Sequence, residues 1–418
     1  MIKIIKKEIC DSKKDEYDII FTDQILKSKK AIKVNNPKDL YYNLNKVSSD
    51  SNIALYFKKE KYLDNYYQLL YFYQNYIEKV NLFKKEIKKI NKSFDKSEDH
   101  RLVTDAIHKL QYMNCDGKYL RAFLITLGYQ LKNDNVDYVI PLALAYETFQ
   151  TSILIHDDII DNSETRRGKK TIHEIYNEEL KSNDNTSSSL AICIGDLGFY
   201  LTNSILFKKY KNDPQLIKIL EYLNKVIINT IKGEIVDVYL PTLEKLNNKG
   251  RFTERDVMEI SRLKTSWYTV VGPFCLGAIA ANVSESKIRD YEKMLEPMGM
   301  AFQVRDDILG IFGSSDTTGK SNMTDIEENK LTIMYSYLKL VKEKYYNEFI
   351  KYYGKEHVTE EEAEIVRDLI MRSGALDYAE DTIVELLNLS KEEIIKLKNK
   401  HVKDTLLGLM EYLRLREK

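Results

Sequence analysis

Glycine and proline are scarce in this sequence, 16 and 6 among 418 residues, and no glycine precedes Gly117. Both residues punctuate a chain, so their scarcity predicts long uninterrupted helices. Cysteine is rarer still. Cys10, Cys115, Cys193 and Cys275 lie far apart with no CxxC pair, which argues against a zinc site or a thiol redox motif and leaves them as reduced core residues. Excess charge of either sign is missing too: Lys+Arg and Asp+Glu are both 64. Neither a surface that coats nucleic acid nor an acidic tail is therefore expected, and the 30 tyrosines read as packing rather than as a base-stacking groove. No apolar run approaches the roughly 20 residues that cross a bilayer, so no membrane span is expected. The first residues show no apolar stretch ending in a small-residue cleavage site, which makes a cytoplasmic location the default expectation.

Against these absences stands a chain with 43% hydrophobic and 31% charged residues, suited to a sizeable globular core. Apolar residues at helical spacing run from Asp137 to Asp161, from Pro214 to Leu240, from Thr253 toward Ala281 and from Ser284 to Phe312, the last with a bend expected at Pro297. The pairs Thr253/Asp256, Thr359/Glu362 and Ser390/Glu393 have capping-box spacing and are each expected to open a helix. The polar segment 181–190 reads as a loop joining two helices. No βαβ alternation is evident. Residues 1–60 form a separate compositional zone whose apolar pieces, EYDIIF and NIALYF, fit either short strands or a docked extension. The expected organisation is an N-terminal extension, 1–60, and one large helical domain, 61–418.

Chemistry concentrates at the ends of two of these helices. In HDDIID, Asp157 and Asp161 are spaced i, i+4, so both carboxylates lie on one helical face and can reach a common divalent cation, with Asp158 between them. A second pair, Asp306 and Asp307 in FQVRDDILG, closes another largely apolar helix. Two such ends facing each other make a negative pocket that requires Mg²⁺ and a polyanion to fill it. Cations flank both clusters: Arg166 and Arg167 follow the first, and Lys320 and Lys330 follow the second. That combination suits a diphosphate held through metal.

With these motifs in order, the sequence resembles the trans-isoprenyl diphosphate synthases, the family that includes farnesyl and geranylgeranyl diphosphate synthases. The resemblance covers roughly residues 75–418. DDIIDNSETRRG and FQVRDDILG match the two aspartate-rich motifs, DGKYLR (116–121) the GGKxxR segment, LKTSWY the Lys-Thr pair, GEIVD (233–237) the GQxxD segment, and GKSNMTDIEENKLT the lysine-bearing loop. The resemblance implies an all-α fold, a single large helical bundle around a central cavity with a short N-terminal extension. It also implies a homodimer and a Mg²⁺-dependent condensation of isopentenyl diphosphate with an allylic diphosphate. By position, Asp157, Asp161 and Asp306 would bind Mg²⁺, three ions in all, with Asp158 and Asp307 in support. Arg166, Lys264, Lys320 and Lys330 would hold the allylic diphosphate. Lys118, Arg121, Arg167 and Gln150 would hold isopentenyl diphosphate. Thr265 and Gln303, with Lys264, would stand by the developing allylic cation. Breaking the carbon–oxygen bond leaves a cation and a diphosphate, so fixed positive charge around the leaving group lowers the barrier.

The chain departs from the family pattern at Gly310, where many members end the second motif with aspartate, and at Asp116, Tyr119 and Glu234, which replaces the usual glutamine. His156 reads as a helix-end residue rather than a ligand, and His173 as structural. GSSDTTGKS (313–321) has five residues between its glycines, one more than a P-loop allows. Product length follows from Ile153, Ser152 and Phe149, which lie four, five and eight positions before Asp157 on the face expected to line the chain tunnel. Serine at 152 leaves room, and Phe149, about one 5.4 Å turn deeper, sets a floor near C20, with C15 as the alternative. A class I terpene cyclase would carry an NSE- or DTE-type second motif. A non-catalytic subunit of a heteromeric synthase would have lost acids or lysines that this chain keeps.

Overall fold

The structure, a computed structural model, describes residues 2–4, 17–22, 24, 29–57, 63–181, 185–246, 253–313 and 323–416. The described residues fall into two compact units, one drawn from Met1–Leu82 with Lys391–Arg416, the other from Phe83–Ser390.

In the first unit, strands β1 (Ile2–Ile4), β2 (Ile19–Thr22), β3 (Ala31–Lys33) and β4 (Ile53–Tyr56) form a parallel sheet in the order β1-β4-β2-β3. The apolar pieces of the N-terminal zone are thus strands. Every position of β2 and β4 is buried, so neither strand alternates and neither announces itself by period. Helix α1 (Pro37–Tyr42) opens on Asn36, whose side chain accepts the Asp39 N–H, with Pro37 in its first turn. Helix α2 (Leu63–Lys92) begins in this unit, where Tyr71 pairs its hydroxyl with His401 Nδ1 at 3.0 Å. His401 belongs to the last helix, Lys400–Leu415, whose Tyr412 lies 5.6 Å from the Tyr41 ring of α1.

Among its described residues, the second unit is helical apart from one hairpin of two two-residue strands. In order come α3 (Arg101–Asn114), α4 (Leu120–Tyr129), α5 (Ile140–Ile160), hairpin strands β5 (Thr165–Arg166) and β6 (Lys169–Lys170), α6 (Ile172–Leu180), α7 (Asn185–Tyr210), α8 (Leu216–Leu246) and α9 (Glu254–Ile260). A π-helix (Ser261–Val271) follows without a break and passes into α10 (Gly272–Ala280), then α11 (Glu285–Phe312), α12 (Thr324–Glu327) and α13 (Ile333–Val341). Helices Glu343–Phe349, Glu360–Ser373 and Ala375–Ile394 complete it. Helix α5 packs along α7, α10 along α4, and the π-helix lies between α8 and α11. The fold class is all-α, as the resemblance implies; the parallel sheet, which the sequence did not announce, is confined to the first unit.

Three local expectations change. Residues 185–190, read as loop, are the first turns of α7, because serine and threonine serve a helix start as readily as a turn. That helix then becomes, among the described residues, the one element long and apolar enough by length and composition to cross a membrane, and here it packs along α5. Ser390 opens no helix. It lies fully buried inside Ala375–Ile394, where its Oγ accepts the Met298 N–H at 2.9 Å, next to Pro297 within α11. The capping boxes at Thr253 and Thr359 form as the spacing predicts.

Candidate active-site cleft

Helix α5 is apolar until its last turn because its upper length is core. Leu142 to Ser152 are buried, Glu147 among them, and the aspartates come only where the helix emerges. Asp157 and Asp161 are half-buried there, one turn apart. Asp158 points the other way. Its side chain is 1% exposed and accepts from Arg166 Nε at 2.6 Å, while Arg166 Nη2 also reaches Asp157 Oδ2 at 3.0 Å. Asp158 therefore anchors the hairpin arginine rather than lining the cleft. Burial opposes the Arg166 charge, but Asp158 and Asp157 outweigh it and keep the guanidinium firmly protonated.

Lys264 sits at the centre of the acidic face. Its Nζ is 2.7 Å from Asp237 Oδ2, 2.8 Å from Glu234 Oε2 and 3.6 Å from Asp157 Oδ1. Two features put it there. The π-helix carries Lys264 and Thr265, and Gly233 on α8 permits the crossing: a Cβ at that position would lie 2.7 Å from Lys264 Cα. Burial opposes the ammonium, yet Asp237, Asp157 and Glu234 raise its affinity for the proton above the usual lysine range. Glu234 itself, penalised by burial and relieved by Lys264, is lifted from 4.5 to about 7. The glutamate that replaces the usual glutamine is thus a partner of the site lysine rather than a solvated surface group.

The second acidic helix faces this cluster. Thr265 Oγ1 donates to Gln303 Oε1, and Gln303 Nε2 donates to Asp307 Oδ1 at 2.6 Å, so the three form one chain of hydrogen bonds. Asp307 is buried and pushed up to about 7 by that burial, against the pull of Lys330. It shares a small pocket with Asp237, Lys264, Gln303 and Lys330, whereas Asp306 is half-buried. An adjoining cavity of about 270 Å³ is lined by Asp161, Glu234, Asp237, Glu328 and Lys330. Lys320 lies outside the described residues, as does the glycine-bearing segment around it.

A second cluster has the opposite character. Arg121 Nη2 donates to Thr269 Oγ1 at 2.7 Å, and its guanidinium lies 4.0 Å from the Tyr268 ring centroid. In the amide orientation that satisfies both neighbours, Gln150 accepts from Arg121 Nη1 at 2.9 Å and donates to Glu147 Oε2 at 3.0 Å. Glu147 is 3% exposed and accepts the Ala122 N–H at 2.9 Å; burial raises its carboxyl, with that N–H and Arg121 opposing. Arg167, lowered by burial but favoured by Glu147, completes the group. It occupies the hairpin turn with Gly168, φ 56 and 72, so the hairpin sends Arg166 to the acidic cluster and Arg167 to this one. Lys118 is exposed in the loop before α4, whose Gly117 abuts Glu147.

Below both clusters Phe149 is buried among the rings of Tyr146, Phe199 and Tyr268, with centroids 5.3, 5.8 and 6.0 Å away. Ile153 is half-buried. The space beside Ser152 is taken by α7, where a Cβ on Gly198 would meet it. His156 packs on Gly195 and places Nε2 3.2 Å from Ile192 O, and His173 is buried. Glu147 and Asp237 escaped the sequence reading as site residues. A lone acid inside the apolar run of α5 was the signal for the first.

Among the described residues no three His, Cys, Asp or Glu side chains converge tightly enough to cage a cation by themselves. Mg²⁺ suits such an open donor set, since it commonly takes one or two carboxylates and completes its shell with substrate phosphates and water. A helical bundle with acids and captive lysines at one end of a cleft, and arginines at the other, belongs to enzymes that handle diphosphates. The polyprenyl synthetase family profile matches residues 103–370, which hold every group just described, and the chain belongs to that family. It is a prenyltransferase that elongates isoprenyl diphosphates, and the family is dependent on divalent metal. Similar proteins include a short chain isoprenyl diphosphate synthase of Methanocaldococcus jannaschii, 30% identical over 63% of this chain and 74% of that one. A geranylgeranyl diphosphate synthase of Methanosarcina mazei is 27% identical over 73% and 87%. The crystal structure of geranylgeranyl pyrophosphate synthase from Corynebacterium glutamicum, complexed with isoprenyl diphosphate and magnesium, shares the fold with a TM-score of 0.72. It is 22% identical and matches 81% of this chain and 98% of that one.

Proposed function

We propose that the cleft joins isopentenyl diphosphate to an allylic prenyl diphosphate and releases an all-trans product of C20, with C15 the shorter alternative. The observation that carries this reading is the pairing of two dissimilar anion sites: Lys264 among Asp157, Glu234 and Asp237, and Arg121 with Gln150 beside Glu147.

The allylic diphosphate belongs to the acidic end. Asp157, Asp161, Asp306 and Asp307 would hold Mg²⁺, in three ions, and the metal supplies Lewis-acid stabilisation of the departing diphosphate. Lys264, Lys330 and Arg166 add positive charge fixed before the reaction begins, Arg166 being steadied by Asp158, and Lys320 is the fourth cation assigned to this diphosphate. Thr265 Oγ1 and Gln303 Oε1 set oxygens beside the place where the carbocation develops. Isopentenyl diphosphate belongs to Arg121, Gln150, Arg167 and Lys118, where arginine forks match phosphate oxygens directly. Its alkene then attacks the cation, and no histidine–carboxylate pair is needed, the released diphosphate being the base for the lost proton.

The C20 limit rests on Phe149, which lies eight residues, about two helical turns, before Asp157 and is packed against the rings of Tyr146, Phe199 and Tyr268. A homodimer is favoured by the exposed apolar side chains of α7 and α8, among them Tyr200, Ile228, Ile231 and Ile235. The test is incubation of the purified chain with Mg²⁺, isopentenyl diphosphate and separate C5, C10 and C15 primers, with product length read by mass. A C20 diphosphate is expected from every primer, and Phe149→Ala should lengthen it by at least one unit. Cyclised hydrocarbon or no elongation contradicts the reading.

A further inference from the structure

The second acidic motif runs out of acids one turn early. Asp306 and Asp307 are followed at position 310 by glycine, so α11 presents no third carboxylate to the cleft. The space is not empty. A Cβ built on Gly310 would fall inside the contact radius of Asp325 Oδ2 and 2.6 Å from its Cγ. A carboxylate from a different element therefore occupies the volume that a side chain at 310 would take.

That element is held firmly. Helix α12 is only four residues long and could not stand alone. It is pinned by Ile326, which is fully buried and whose carbonyl accepts the Gly354 N–H at 2.8 Å. Glu327 Oε1 also accepts the Val358 N–H at 3.0 Å. The chain then turns back on Asp325 itself: Lys330 N donates to Asp325 O at 3.2 Å, and Tyr353 Oη donates to Lys330 O at 2.7 Å. Lys330 Nζ stands 3.7 Å from Asp325 Oδ1, close enough for an ion pair and too far for a hydrogen bond. Asp325 thus fixes where the ammonium sits without taking one of its three donors. Lys264, hydrogen-bonded to two carboxylates, is held in the opposite manner.

We infer that Asp325 supplies from α12 the carboxylate that α11 lacks, and that it is a positioning residue that aims the Lys330 ammonium into the cleft. Gly310 is the feature that admits it. The inference rests on reading this end of the cleft as the allylic diphosphate site. The missing acid of DDILG is on this account a relocated one, and the pair Gly310/Asp325 is a single device.

Three variants test it: Asp325→Asn, Gly310→Asp, and the double variant Gly310→Asp/Asp325→Gly, which returns the carboxylate to α11. For Asp325→Asn the KM for the allylic substrate should rise about tenfold, with kcat and the KM for isopentenyl diphosphate within about threefold of the parent. Gly310→Asp alone forces two carboxylates into one volume and should lose both affinity and thermal stability. The double variant should melt close to the parent and recover most of the allylic KM. Titration with inorganic pyrophosphate and Mg²⁺ reads the same placement without turnover, so a chain that binds pyrophosphate but does not elongate sinks the reaction assignment and leaves this inference to the titration. Asp325→Asn with parental pyrophosphate affinity overturns it, as does a folded double variant no better than Asp325→Asn, or a parent that binds no pyrophosphate. Should Asp325→Asn unfold, the double variant decides.

Discussion

The two ends of the cleft carry opposite charge inventories, although the proposed function gives each a diphosphate. At one end Lys264 and Lys330 are surrounded by Asp157, Asp161, Glu234, Asp237, Asp307 and Asp325. At the other, Arg121 and Arg167 share a single buried acid, Glu147, with Gln150 between. An anion entering the first end meets net negative charge and requires cations to come with it, whereas the second end receives an anion directly. On the proposed assignment, the end that breaks a carbon–oxygen bond is the one that would draw Mg²⁺ in with its ligand. The end that, on the same assignment, only has to orient an intact diphosphate offers guanidinium forks.

The sharpest way to break that contrast is Lys264→Ala. It removes the ammonium that three carboxylates converge on, and kcat/KM for the allylic substrate should fall by about 10²–10³ in steady-state assays. The loss should exceed that of any substitution at the arginine end. Arg121→Lys probes the other end more gently, since it keeps the charge and loses the fork and the stacking on Tyr268. The KM for isopentenyl diphosphate should rise on the order of tenfold, with the allylic KM unmoved; equal effects on both would erase the distinction between the ends.

Glu234→Gln gives the smallest effect. Burial lifts its carboxyl from 4.5 to about 7, Lys264 opposing. A folded-state value above the unfolded one means that the stability contributed by its proton is fully present below about pH 4.5 and is lost as pH rises through about 7. The variant should therefore raise the melting midpoint of the substrate-free protein by a degree or two at about pH 8 and leave it unchanged near pH 4, as scanning calorimetry can show. Asp307, also lifted to about 7, keeps part of the slope.

Much of this was legible in the sequence, for physical reasons that differ by region. Long helices follow from missing breakers, and the acids of α5 and α11 stand out because they end apolar runs. Capping boxes at Thr253 and Thr359 are local, so local spacing finds them. The parallel sheet was ambiguous because β2 and β4 are buried on both faces and are only four residues long. The π-helix carrying Lys264 has no signature of its own, and its only hint is Gly233 on a neighbouring helix. The outward or inward aim of Asp158 and Asp307 depends on Arg166 and Gln303, residues that spacing alone cannot pair with them. Asp325 is invisible for the same reason, since its role depends on a close approach to Gly310.

The most direct test of the account is calorimetric titration of the unmodified protein with each diphosphate, in chelator and again in Mg²⁺, using a non-ionising thiolo analogue of the allylic substrate. The account predicts that isopentenyl diphosphate binds with similar affinity in both, while the allylic analogue binds only with Mg²⁺. Tight metal-free binding of the allylic analogue, or an equal metal requirement for both ligands, would contradict it.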